Sequence, residues 1–408
     1  MEMKKYKLSE ICELNNATLK SSDNFDEILY LDTSNITKNC IAELQPFFIE
    51  NAPSRAQRKV KDKTIIFSTV RPNQKHFGIL NNPPKNLIVS TGFTTLDVKK
   101  TNDFDANYVY LKLTQPYIVN HLHTLAQNSV SSYPSINPDD IGNLRFDFPS
   151  LPTQQKIAAV LSSLDDKIAL NKKINAKLEA MAKRLYDYWF VQFDYPDKNG
   201  KPYKTSGGKM VWNEVLKREI PEGWEVKSVF EASDVLYGYP YATEPFDEDN
   251  LELSKKPYKV VRIRDIQNNS FSAKTTEVVD EKYKTKQNDL LVGMDGYFHM
   301  NFWFSNNDYI NQRIVRFRKT LISTLILNFQ IKPFIKFKET MAKGSTVGHL
   351  SDKDLKQLFI AIPNDNSISD RFDSILNMIT KNNSEIQKLT DLRDRLLPLL
   401  MNGQVEVK

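Results

Sequence analysis

The sequence predicts an α+β chain of two tandem halves, each a mixed globular domain followed by a long helix. Three observations carry this. A heptad seam occurs twice, a β-rich region with matching strand patterns precedes each seam, and a strand closing on proline leads into each helix. The 408 residues leave room for two ordinary domains and their connections. The expected division is a first domain at 1–150, a first helix at 151–193, a linker at 194–222, a second domain at 223–364 and a second helix at 365–408.

The helices show the longest pattern. Ile157, Leu161, Leu164, Ile168, Asn171, Asn175, Leu178, Ala182, Leu185 and Trp189 follow alternating steps of four and three, a heptad seam. Ile368, Phe372, Ile375, Ile379, Asn382, Ile386, Leu389, Arg393, Leu396 and Leu400 repeat it, each its counterpart shifted by 211 residues (157 to 368, 189 to 400). Asn171 and Asn382 share a seam position, where a buried Asn lowers stability and fixes register. Antiparallel pairing would make a coiled coil, set the globular domains at its opposite ends and relate the halves by a pseudo-twofold axis.

The β-rich regions run in parallel. Tyr6, Leu8 and Ile11 align with Trp224, Val226 and Val229. The run Tyr30–Ile36 aligns with Val260–Ile266, and Ile65–Ser68 with Leu290–Gly293. Ala126–Ser129 then matches Ala342–Ser345, Ile136–Ile141 matches Leu350–Leu355, and both halves reach a strand ending in proline, at Phe148-Pro149 and Ile362-Pro363. Between Asp194 and Gly223, Pro196, Gly200, Pro202, Gly207, Gly208 and Pro221 give the composition of a linker.

Composition narrows the function classes. A net charge of +6 and a pI near 8.9 tilt mildly toward an anionic partner such as nucleic acid. Cys12 and Cys40 belong to no paired motif, which fits reduced thiols of a cytoplasmic protein better than disulfides or zinc. No signal peptide is expected behind the N-terminal lysines, and no apolar run reaches the ~18 residues of a membrane span.

Catalytic chemistry is hard to place. Asn82-Pro83-Pro84-Lys85 resembles the Asn-Pro-Pro-aromatic string of amino-group DNA methyltransferases, but Lys85 cannot supply the stacking ring. There is no glycine-rich turn for a nucleoside cofactor and no phosphate-binding loop. His121 and His123 have no acidic or thiol ligands at metal spacing, so no metal is expected.

Binding chemistry is better represented. Arg55, Arg58, Lys61, Arg71, Asn73, Lys75 and His76 in the first half are residue types that hold phosphates or read base edges. Tyr297, His299, Asn301, Gln312 and Arg313 form the second-half set, with Trp303, Arg316 and Arg318 nearby and Lys343 and Ser345 further on. A solvated charged loop would explain either set alone. Their parallel places after matching strands favour contact with DNA.

Several strings are more specific. Leu151-Pro152-Thr153-Gln154-Gln155-Lys156-Ile157-Ala158 enters the first helix, and Leu164-Asp165-Asp166-Lys167-Ile168 lies within it. Ser90-Thr91-Gly92-Phe93, Ile310-Asn311-Gln312-Arg313-Ile314 and Ile220-Pro221-Glu222-Gly223-Trp224 complete the group. In this duplicated layout they make the chain similar, over essentially its whole length, to the specificity subunits of type I restriction-modification systems. It departs at Asn364-Asp365-Asn366-Ser367, where that family has a proline-glutamine-glutamine start, and in its recognition loops.

The resemblance implies two target recognition domains, separated and followed by helices that pair as an antiparallel coiled coil, and no catalysis in this chain. Each domain would read half of a bipartite, asymmetric target in double-stranded DNA. Two methyltransferase subunits would dock on the helices, whose framework is Ile157, Leu161, Leu164, Ile168, Leu178, Leu185, Ile368, Phe372, Ile375, Ile379, Leu389 and Leu396. S-adenosylmethionine would be theirs, and ATP and Mg would belong to two restriction-translocase subunits where a full system exists. The setting would be cytoplasmic, without membrane. A modification-only or phase-variable system is the main alternative. A solitary adenine-N6 methyltransferase would need a cofactor loop, and a structural coiled-coil protein would show no sequence-selective DNA binding.

Overall fold

A computed structural model describes residues 3–128, 134–241, 257–342 and 348–407. Two units emerge, one from Met1–Asp166 with Thr390–Lys408 and the other from Lys167–Leu389.

In the first unit, the strand Lys4–Lys7 pairs antiparallel with Arg145–Phe148, the strand that closes on Pro149. One sheet has the order Cys12–Leu14, Phe93–Val98, Ile65–Ser68, Phe77–Ile79. A second has the order Gln45–Phe48, Glu27–Leu31, Leu87–Ser90, Ala56–Lys59, with the central pair parallel. Ile65–Ser68 and Leu87–Ser90 are buried along their whole length, as short β-branched runs covered on both faces should be. The helices Ala106–Leu113 and Pro116–Gln127 supply Tyr108, Val109, Val119 and Leu122 to the main core.

The second unit repeats the plan. Glu225–Ser228 pairs with Phe359–Ile362. One sheet runs Ser233–Tyr237, Ile314–Lys319, Leu290–Gly293, Met300–Phe302, and the other Ala273–Thr275, Tyr258–Val261, Tyr309–Ile310, again with a parallel pair. Even register is kept: Cys12 faces Val98 and Ser233 faces Lys319, while Ile65 faces Leu96 and Leu290 faces Phe317.

The register corrects one sequence alignment. Leu8 and Ile11 form a single turn of helix whose counterpart is Val229–Ala232, so Leu8 matches Val229 rather than Val226. All four end residues are fully buried. An apolar pair three apart looks the same after sliding by three, which is how the pattern misleads.

The long helices span Leu151–Tyr186 and Asn366–Met401. None of the seam residues is exposed. Within the second unit the helices run antiparallel: Asn171 Nδ2 donates to Glu385 Oε2 (3.0 Å), Asn175 Nδ2 to Asn383 Oδ1 (3.0 Å), and Trp189 lies edge-on to Phe372. Within the first unit, Arg393 Nη1 donates to Asp165 Oδ1 (2.9 Å), and Ile157 and Leu161 share a core with Leu400 and Met401. There the buried Lys112 Nζ donates to Met401 O (2.8 Å), capping a helix end that would otherwise leave a carbonyl unpaired.

The Pro- and Gly-rich stretch 194–222 is built into the second unit. Met210–Asn213 and Arg218–Pro221 form a hairpin, Asp194 accepts from Thr205 N (2.8 Å), and Tyr195 stacks on Tyr203 with centroids 4.8 Å apart. Its turn residues shape a tight hairpin whose aromatic neighbours reach the core beside Trp224.

Candidate nucleic-acid interface

Four backbone hydrogen bonds knit together the loops at one end of the first unit's sheets. Thr91 N donates to Arg55 O (2.8 Å), Thr69 N to Gly92 O (2.9 Å), Ile136 N to Thr69 O (2.9 Å) and Arg71 N to Pro134 O (2.9 Å). Three of these bonds recur in the second unit: Met294 N donates to Arg313 O (2.9 Å), Leu350 N to Met294 O (2.7 Å) and Gly296 N to Gly348 O (2.9 Å). The fourth differs, because Gln312 N donates to Tyr239 O (2.9 Å), beyond the strand Ser233–Tyr237, whereas Arg55 precedes the strand Ala56–Lys59. Single bridges between Val70 and Ser135 and between Asp295 and His349 flank them.

The ladder carries different side chains in the two units. Arg71 and Gly296 occupy the same place, both in the left-handed region, with φ of 46° and 70°. One rung away the residues are exchanged, with Gly92 in the first unit and Arg313 in the second.

Around Arg313 a shallow cleft of about 430 Å³ is lined by Arg262, Arg264, Asp295, Tyr297, His299 and Asn311. Arg313 Nε lies 3.2 Å from Asp295 Oδ2, and Asp295 Oδ1 lies 2.6 Å from His349 Nδ1. Tyr297 is exposed and stacks on His299, with centroids 6.0 Å apart. Ser272 Oγ gathers Arg262 Nε and Arg264 Nε at 3.0 Å each and donates to Asp265. Burial pushes the Asp265 carboxyl up, against the Ser272 hydrogen bonds that pull it down.

The equivalent places in the first unit are acidic and hydroxylic. The register that matches Tyr30 to Val260 sets Asp32 opposite Arg262 and Ser34 opposite Arg264. Burial pushes Asp32 up, but hydrogen bonds from Thr33 N–H, Tyr30, Ser34 and Ser90 outweigh it and hold the carboxyl below its usual range.

Of the first-half candidates, Arg55, Lys61, Arg71 and Asn73 are exposed, and Arg58, Lys75 and His76 are half-buried. Arg71 sits on the shared ladder, and Arg55 lies beside it through the bond from Thr91. Arg58 lies on the strand Ala56–Lys59, Lys61 is 3.8 Å from Asp97, and His76 Nδ1 faces Ile36 O. In the second half, Tyr297, His299 and Arg313 meet in the cleft, and Gln312 is exposed beside the ladder. Asn301 Nδ2 donates to Ile266 O and Gln267 O (both 3.1 Å), which occupies its amide in the fold. Lys343 and Ser345 lie outside the described residues.

Three aromatic or basic neighbours prove to be internal. Arg316 is fully buried and donates to Lys282 O and Asp234, Arg318 forms a fork with Asp289, and Trp303 Nε1 donates to Asp308. Arg316 and Arg318 share one covered face of the strand Ile314–Lys319, a fact invisible in a basic-aromatic count. Asn311, which the sequence placed beside Gln312 and Arg313, also lines the cleft, and Arg262, Arg264 and Asp295 join it although charge clustering missed them. Aligning Arg262 with Asp32 was the available signal.

The helix framework residues line the seam or the cores, with Ile157, Leu161, Ile168, Ile368, Phe372, Ile375 and Ile379 buried and Leu164, Leu178, Leu185, Leu389 and Leu396 half-buried. Other apolar side chains on the same helices are exposed, including Leu170, Met181, Tyr188, Met378 and Leu392. His121 and His123 lie on the helix Pro116–Gln127, and the described residues contain no group of three or more potential metal ligands. No described helix is long and apolar enough to cross a membrane.

Residues 1–180 and 221–391 match the family model of the type I restriction modification DNA specificity domain. The chain belongs to that family. It is 23% identical to the type I restriction enzyme HindI specificity subunit of Haemophilus influenzae, over 99% of this chain and 100% of that protein. It is 27% identical to the MjaIX specificity subunit of Methanocaldococcus jannaschii, over 88% and 82%. The crystal structure of the type I S subunit from M. genitalium shares the fold, with a TM-score of 0.57 at 16% identity over 98% and 96% of the two chains. As a specificity subunit the chain recognises DNA and is not itself catalytic, and the duplicated ladder corresponds to the two matched segments.

Proposed function

We propose that each unit of this specificity subunit reads one half of a bipartite, asymmetric DNA target through its ladder loops, and that the paired helices fix the spacer. The observation that carries the proposal is the same three-bond loop scaffold holding different side chains in the two units. A shared scaffold presents both units to DNA in one manner, while Arg71, Asp32 and Ser34 against Arg313, Arg262 and Arg264 give them different partners.

The exposed Leu170, Met181, Tyr188 and Met378 of the second unit offer a docking face to the methyltransferase subunits. Those subunits bring S-adenosylmethionine, and two restriction-translocase subunits, where present, bring ATP and Mg. The assembly works in the cytoplasm. Co-expression with the modification protein tests this: the pair should co-purify and bind selected duplexes, and Met181→Lys with Met378→Lys should abolish co-purification while leaving each fold intact. Co-purification unaffected by both lysines would place the docking face elsewhere.

A further inference from the structure

Arginine and glycine are exchanged between two neighbouring places of one ladder: Arg71 and Gly92 in the first unit, Gly296 and Arg313 in the second. Arg313 is the better defined of the two arginines. Asp295 Oδ2 forms an ion pair with it, 3.2 Å from Nε, and His349 Nδ1 hydrogen-bonds Asp295 Oδ1 from the other side. Its side chain is 54% exposed, and its two terminal nitrogens have no hydrogen-bond partner among the described residues. A guanidinium paired with a carboxylate at Nε and open at its fork can make the bidentate contact with O6 and N7 of guanine in the major groove.

We infer that Arg71 and Arg313 are the guanine-reading residues of their units, that they act from exchanged places on one scaffold, and that Asp295 is the positioning residue for Arg313. This rests on the half-site reading proposed above. The guanine each arginine selects is then set by which of the two places carries it, so exchanging arginine and glycine within a unit should move the selected base pair. The second unit suits the exchange. A Cβ at Gly296 would meet nothing within 4 Å, and the strain of its φ of 70° is one that Arg71, at a φ of 46°, already bears at the same place. In the first unit a Cβ at Gly92 would come within 2.9 Å of Thr33 Cγ2.

The test uses the full chain assembled with its modification partner, acting on a library of randomised duplexes whose methylated adenines are sequenced. Arg313→Ala should lower discrimination for one guanine in one half-target at least about fivefold and leave the other half unchanged. Asp295→Asn should weaken the same position and add nothing when combined with Arg313→Ala, whereas a merely structural role would lower the overall rate at constant base preference. Gly296→Arg with Arg313→Gly should restore a guanine requirement at a different position of the same half-target. Three results overturn the inference: even loss across all sequences with Arg313→Ala, no change with it, or an exchange variant that keeps the original guanine position. If the exchange variant fails to co-purify, the two single variants decide. Failure of the half-site reading itself looks different, with unmutated complex showing no preference for a divided target.

Discussion

Asn382 Nδ2 donates to Asn175 Oδ1 across 2.9 Å in the second unit, joining two seam positions of antiparallel helices. Asn175 in turn donates to Asn383 Oδ1, so one amide serves two partners on the facing helix. Polar seam residues of this kind give register at the expense of stability.

Asn175→Ala should therefore destabilise the second unit by about 1–3 kcal/mol, because it leaves the Asn382 amide unpaired in a covered seam. Replacing Asn175 and Asn382 together by Leu should recover most of that loss. A double-mutant cycle by denaturant unfolding measures it, and additive losses would show that the two amides do not interact.

Arg318 and Arg313 are five residues apart on one stretch of chain and should behave in opposite ways. Arg318 Nε and Nη2 both donate to Asp289 at 2.7 Å, and the Asp289 side chain is almost fully buried. Removing the arginine leaves a buried carboxylate without its partner, so Arg318→Ala should cost about 3–5 kcal/mol of stability. Arg313→Ala, at an exposed site, should change stability by less than about 0.5 kcal/mol. Unfolding midpoints of the two variants separate a fold arginine from a binding arginine.

Acid should loosen the second unit through Asp354. Burial pushes this carboxyl up, but hydrogen bonds from Lys338 and from Ser351 outweigh it and hold it at about 2. A folded pKa below the ordinary value of 3.8 contributes stability that is full above that value and lost as pH falls through 2. The contribution is about 2 kcal/mol. Asp354→Asn should flatten the pH dependence of the denaturation midpoint between roughly pH 4 and pH 2, and an unchanged slope would assign the acid sensitivity elsewhere.

The seam and the strand plan were legible in the sequence because both rest on periodicity. Residues such as Ile157 and Leu400 repeat at helical spacing whatever surrounds them, and Ile65–Ser68 reads as a strand from its β-branched run. The ladder was half legible: Val70-Arg71-Pro72 and Asp295-Gly296-Tyr297 align, but only the backbone bonds to Pro134 and Gly348 show them to be one structural place. Arg316 and Arg318 misled because composition does not say which face of a strand is covered. Trp224 and Tyr195 show the same limit for 194–222, where turn residues imply slack and the aromatics between them anchor the chain.

Helix length offers a test of the spacer. In the second unit Asn171 meets Glu385 and Asn175 meets Asn383, so the heptads 172–178 and 379–385 face each other. Deleting both keeps the seam in phase and shortens the pair by ~10 Å, the rise of ~3 base pairs. The methylated motif should keep both halves with a shorter spacer. An active variant with the original spacer would show that the recognition domains, not the helices, dictate the separation.

The most direct measurement is the map of methylated adenines in cells carrying the modification partner, with this chain, without it, and with Arg71→Ala or Arg313→Ala. Duplicated half-site reading predicts one asymmetric motif of two short halves, present only with the chain, one half relaxed by the Arg71 change and the other by the Arg313 change. The same motif without the chain, or relaxation of the same half by both substitutions, would contradict it.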